Sequence, residues 1–154
     1  MRKVYRIASS KRVKDLSGTG SAIHGGRWNP KGHYVLYTAD SASLAMLEWL
    51  AHARDRDMDE DYFLATILIP DTPILKPAIG ELPASWEATP PLASVQEYGA
   101  KLFSDGMWLA IEMPSVIMPL DCNVILDVRH PLFSKVKIAS IERVIADSRL
   151  FETQ

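Results

Sequence analysis

Glu48 is the only charged residue in Ser41-Ala42-Ser43-Leu44-Ala45-Met46-Leu47-Glu48-Trp49-Leu50-Ala51-His52. Read at helical spacing, Leu44, Leu47, Glu48 and Ala51 share one face, while Ala45, Met46, Trp49 and Leu50 cover most of the rest. A helix apolar nearly all round is expected to be buried. An ionised carboxylate inside a protein costs on the order of several kcal/mol unless it is paired or hydrogen-bonded. Glu48 is therefore either a structural carboxylate tied to an arginine or backbone donors, or a catalytic one at the floor of a cleft.

Gly25-Gly26-Arg27-Trp28-Asn29-Pro30-Lys31-Gly32 is the second unusual stretch. Adjacent glycines allow close approach of a backbone to a ligand, and Arg27 can offer its planar fork to a phosphate. The alternative is a tight turn with Trp28 in the core. The spacing of Gly, Lys and Ser/Thr is not that of a phosphate-binding P-loop. Ser115, in Met113-Pro114-Ser115-Val116, lacks a Gly-x-Ser-x-Gly elbow and reads by itself as a turn residue. Tyr37 reads as a half-buried aromatic. Arg2, Lys3, Arg6, Lys11, Arg12 and Lys14 make the N-terminus basic, either solvated or facing a phosphate-bearing ligand.

These residues need elements to hold them. Met1–Ile7 and Tyr34–Tyr37 read as strands, with a long loop or short turns through the glycines between them. Thr38-Ala39-Asp40-Ser41 offers caps for a helix to about His52. Arg54–Asp61 is a charged, solvated loop, and Phe63–Ile69 is a buried strand stopped by Pro70. Pro70, Pro73, Pro77, Pro83, Pro90 and Pro91 exclude a long helix and suggest a surface excursion. A helix over Ser94–Ser104, ended by Gly106, should follow, then strands at Trp108–Met113, Asn123–Val128 and Ile141–Ala146. Strands outnumber helices without βαβ alternation, so the class is α+β, a small mixed sheet with few helices.

A chain of 154 residues suits one domain over 1–154, and 47% apolar residues argue against disorder. Cys122 is the single cysteine, so no internal disulfide forms and a reducing cytoplasm is the expected setting. His24, His33, His52 and His130 are scattered, and no metal site is expected. No apolar run suits a signal peptide or a membrane span. A net charge of −2 argues against bulk attraction to nucleic acid.

In order, the pieces resemble the RES domain family, named for its Arg, Glu and Ser. They run from Val4-Tyr5-Arg6-Ile7 through Gly25-Gly26-Arg27-Trp28-Asn29 with Gly32, Leu36-Tyr37-Thr38-Ala39 and Leu44-Ala45-Met46-Leu47-Glu48. Trp86, Met113-Pro114-Ser115-Val116, Asn123 and His130-Pro131 follow. Asp127-Val128-Arg129 and Ile145-Ala146-Asp147-Ser148-Arg149 depart from the family's later motifs.

The resemblance implies a bacterial toxin of a toxin–antitoxin pair that depletes NAD, with a fold similar to ADP-ribosyltransferase toxins. It assigns Arg27, Tyr37, Glu48 and Ser115 to the active site and adds Arg6 as an NAD-binding residue. NAD is then a substrate and no cofactor is needed. It further implies a cognate antitoxin with a helix-turn-helix region and a segment blocking the pocket, and leaves a toxin homo-oligomer within that complex open.

The chemistry suits the residues. Cleaving the nicotinamide–ribose bond makes an oxocarbenium-like cation, and nicotinamide leaves neutral without a general acid, so one carboxylate suffices. Glu48 would steady the cation, Arg27 would hold the pyrophosphate and Tyr37 would stack on the nicotinamide. Ser115 would bond either the ribose or Glu48. The acceptor would be water, inorganic phosphate or a protein side chain; the last makes a mono-ADP-ribosyltransferase with the same site. A non-catalytic binding module and a ribonuclease-like toxin are the rivals from other classes.

Overall fold

Alternation along the first strand sets up both faces of the sheet. In β1 (Arg2–Ser9), Val4 and Ala8 enter one core, while Tyr5 and Ile7 point to the other side, where a helix covers them. The computed structural model describes residues 1–52, 60–145 and 147–150. Five further strands are β2 (Val35–Ala39), β3 (Tyr62–Ile69), β4 (Ala110–Pro114), β5 (Cys122–Asp127) and β6 (Lys137–Arg143). They form one sheet in the order β4-β5-β2-β1-β3-β6, and every ladder is antiparallel. An isolated parallel bridge joins Leu75 to Ile111 on the outer side of β4. The architecture is α+β, as the element pattern leads one to expect.

β1 pairs with β3 along its whole length, from Arg2↔Ile69 to Ser9↔Tyr62, but meets β2 in register only at Tyr5↔Ala39. The sheet is thus two three-stranded halves touching at one point. Val4, Leu36, Ile67, Ile69, Val124 and Leu126 fill the core on one face. On the other, Trp28, Val35, Trp86, Val95, Ile111, Met113 and Ile125 form a second core.

Among the described residues three α-helices serve the sheet: α1 (Thr19–His24), α2 (Ala42–Ala51) and α3 (Ala93–Phe103). Ser41 caps α2, its hydroxyl accepting the Leu44 N–H at 3.0 Å. α2 packs on both β1 and β2 and so spans the junction of the two halves. No helix among the described residues is long and apolar enough to cross a membrane.

Several expectations need correction. α2 is not buried all round. Leu44, Ala45 and Trp49 are buried, but Leu47 is 37% exposed, because the helix roofs an opening instead of crossing a core. α1 lies where only a loop was expected; at six residues it carries no periodic signal, and its N-cap is Gly18 with φ 70°. The proline segment holds no α-helix, only a short 3₁₀ turn at Ile79–Glu81, but it is no mere surface excursion. Trp86 is buried against Trp28, ring centroids 6.0 Å apart. β6 begins and ends earlier than Ile141–Ala146, and Ala146 lies outside the described residues. Most of the expected Arg54–Asp61 loop lies outside them too.

Candidate active site

Glu48 sits where α2 passes from its buried to its open side. Ser115 Oγ donates to Glu48 Oε1 at 2.9 Å, and Asn123 Nδ2 donates to the same oxygen at 2.7 Å. Both donors come from the neighbouring strands. Asn123 lies in β5 opposite Ala39 of β2 and Met113 of β4, on the sheet face that α2 covers. Ser115 directly follows β4 and is fully buried. Each hydrogen bond to a charged group is worth roughly 1.5–3 kcal/mol, so together they offset much of the cost of drawing a carboxylate partly out of water. Oε2 has no hydrogen-bond partner among the described residues and remains available.

Ser115 has one proton and two lone pairs. Its proton is donated to Glu48 Oε1, and the N–H groups of Ile117 and Met118 donate to Oγ at 3.0 and 3.2 Å. Its capacity is full, so of the two roles the sequence leaves open, the geometry favours orienting Glu48 over binding a sugar.

Arg27 projects from the Gly25–Gly32 loop, and its side chain is held by the proline segment. Nη1 donates to the carbonyls of Trp86 and Ala88, both at 2.7 Å, and Nη2 to Thr89 Oγ1 at 3.3 Å. With Nη1 on two carbonyls and one Nη2 hydrogen on Thr89, Nε–H and the second Nη2 hydrogen are the donors without a partner among the described residues. Burial lowers the Arg27 pKa, while Glu48, Tyr37 and Glu87 oppose that through their charge, so Glu48 and Arg27 feel one another across the site. An arginine remains charged under such a shift.

Tyr37 of β2 meets the same loop. Its hydroxyl donates to Asn29 Oδ1 at 2.7 Å and accepts the Trp28 N–H at 2.9 Å. Burial pushes its pKa well above the ordinary phenol value, against the opposing pull of the Trp28 N–H and the Arg27 charge. The phenol therefore stays protonated and offers its ring, not an acid or base. Trp28 is both a core residue and a neighbour of the candidate arginine, so the two readings of this loop are compatible.

Arg6 is not brought to this cluster. It is offset by one from Tyr5 and Ile7, opposite Ala65, and so faces the other side of the sheet from α2. There Nη1 donates to the carbonyls of Arg12 and Asp15 at 3.1 and 3.0 Å. Its place is with the turn after β1, which corrects its assignment to substrate. Asn123, in contrast, carries no role in the sequence reading yet contacts Glu48 directly. Its inward position in β5 was the available signal.

A half-buried carboxylate with one oxygen fixed, and an arginine that feels its charge, can stabilise a positive centre while holding an anionic group nearby. A hollow of about 260 Å³, lined by Asn29, His33, Tyr34, Phe103, Asp127 and Arg129 among others, contains neither Glu48 nor Arg27.

The antiparallel sheet with its three described helices agrees with comparison to known proteins. The RES domain model matches residues 3–147, and the chain belongs to the RES domain family. It is 36% identical over 154 residues to a protein named Toxin Res from Photorhabdus laumondii, covering 98% of each chain. It is 30% identical over 152 residues to the Prs ADP-ribosylating toxin of a Sphingobium species, covering 95% of this chain and 94% of that protein. A chain in the crystal structure of the M. tuberculosis MbcT-MbcA toxin-antitoxin complex shares the fold. There the TM-score is 0.77 at 21% identity, over 93% of this chain and 84% of that one.

Proposed function

We propose that this protein is the toxin of a toxin–antitoxin pair and acts by cleaving NAD at the nicotinamide–ribose bond. The observation that carries the reading is Glu48, fixed through Oε1 by Ser115 and Asn123, with no partner for Oε2 among the described residues and a charge that Arg27 feels. The names of the Photorhabdus and Sphingobium relatives support it.

Arg27 binds the pyrophosphate through Nε–H and the second Nη2 hydrogen, and the Tyr37 ring stacks on the nicotinamide. Glu48 Oε2 takes a ribose hydroxyl. As the C1′–N bond breaks, its electron pair leaves with nicotinamide and neutralises the pyridinium. The sugar becomes an oxocarbenium-like cation, and the fixed carboxylate stabilises it without reorganising. The acceptor oxygen then bonds to C1′; water releases its proton to solvent, whereas an ionised phosphate oxygen has none to lose. Water gives ADP-ribose, and inorganic phosphate gives a phosphorylated ADP-ribose.

Purified protein incubated with NAD should release nicotinamide. Glu48→Gln should keep the fold, by circular dichroism, while slowing release at least ~100-fold, comparable to losing one strong electrostatic stabiliser. Unchanged NAD with the folded wild-type protein, or full activity in the variant, would falsify the reading.

The Sphingobium relative's name favours a second reading in which the acceptor is a protein side chain. NAD labelled in its adenylate half separates the two. Label on protein supports transfer, and label only in small molecules supports hydrolysis or phosphorolysis. The partner we propose is an antitoxin with a helix-turn-helix region and a segment that closes the cleft, in the cytoplasm. Co-expression with the neighbouring reading frame should abolish NAD loss.

A further inference from the structure

We propose that Asn29 is a positioning residue, acting through the Tyr37 hydroxyl to set Arg27 for the pyrophosphate. The inference rests on the NAD reading and adds to it a residue and a mode of action.

Asn29 is 1% exposed, and its whole amide is engaged. Nδ2 is directed at the carbonyls of Ser21, Pro30 and His33 at 3.0, 3.1 and 3.2 Å. Oδ1 accepts the Tyr37 hydroxyl. One side chain therefore joins α1, the turn after the loop, and β2. Tyr37 closes the circuit by accepting the N–H of Trp28, the residue next to Arg27. The arginine thus sits on a backbone fixed from both sides.

On the Gly26 side the circuit is tightly packed. A Cβ on Gly26 would come within 2.7 Å of Asn29 Oδ1 and 2.8 Å of Tyr37 Cζ. From α3, Gln96 Nε2 donates to the Gly26 carbonyl at 2.9 Å. The loop cannot rotate without breaking several of these bonds. Free loops bind anions poorly because ordering them costs conformational entropy. Here that cost is met in folding, and the tyrosine hydroxyl is committed to the loop and not to substrate.

Asn29→Ala tests this directly. Tyr37→Phe breaks the same link while keeping the ring and is the milder change if Asn29→Ala fails to fold. For each folded variant, kcat and KM for NAD are measured, with ADP affinity by calorimetry as an independent probe of the pyrophosphate subsite. The expected result is a rise of about tenfold in both KM and the ADP Kd, with kcat falling less than about threefold. A purely structural role would lower the active fraction, and hence kcat, without moving the ADP Kd of the folded protein. Unchanged ADP affinity in Tyr37→Phe, or no ADP binding by wild type, overturns the proposal. If wild type binds ADP with this dependence yet leaves NAD intact, the positioning role stands and the NAD-cleaving reading falls.

Discussion

Ser115 shows how one buried hydroxyl links catalysis to stability. Its proton orients Glu48, and its lone pairs receive two backbone N–H groups of the segment that follows. Replacing it by alanine strips Glu48 of one of its two donors and leaves those N–H groups without their acceptor. A fully buried donor left unsatisfied costs about 1–3 kcal/mol, and because these two belong to exposed residues the same figure covers the pair. Ser115→Ala should therefore lower Tm by roughly 2–12 °C, taking about 2–4 °C per kcal/mol for a chain of this size. It should also slow nicotinamide release, because Asn123 alone holds the carboxylate. Calorimetry and the release assay on one preparation check both halves; a slower variant of unchanged Tm would mean that the hydroxyl is not needed by the turn.

At the level of elements, α3 braces the Arg27 loop. Gly99 lies against Trp28 so closely that an added Cβ would collide with the Trp28 carbonyl oxygen and stand 2.7 Å from its carbon. A backbone atom cannot move aside as a flexible side chain can, so Gly99→Ala must push the helix and loop apart. Overpacking of this kind costs about 1–3 kcal/mol, and the displaced loop should weaken NAD binding. Urea midpoints and the KM for NAD read out the two effects, and a variant as stable as wild type would show that α3 is not a brace.

The sequence made the main elements legible because each carries its own local signal. Ser41 before an apolar run marked α2, and Pro70 after Phe63–Ile69 marked the end of β3. α1 and the start of β6 were not legible, one too short for a period and the other an edge strand of mixed pattern. The cluster of Glu48, Arg27, Tyr37 and Ser115 followed from an ordered resemblance, not from periodicity. Arg6 was misplaced for a simple reason: one residue of offset in a strand reverses its face. The return of the proline segment to hold Arg27 is a tertiary contact that no local pattern announces.

Across the whole molecule, the two halves of the sheet meet in register only at Tyr5↔Ala39, so side chains must do much of the joining. α2 does so on the face that holds the cleft. On the opposite face, Arg2 of β1 reaches Glu112 of β4, which also pairs with Lys76 at 3.3 Å. Burial alone would raise the Glu112 carboxyl. The bonds and charges of Arg2 and Lys76 outweigh it and hold the pKa below its ordinary 4.5. A depressed carboxylate pKa contributes stability that is fully present above the unfolded value and lost as pH falls through the lower, folded one. The protein should therefore lose stability below about pH 4.5, and Glu112→Gln, which has no charge to lose, should lose less. Urea unfolding at pH 7 and pH 3.5 gives the comparison: the wild-type drop should exceed that of the variant. Equal drops would mean that the two halves are joined without help from this pair, through the cores and α2 alone.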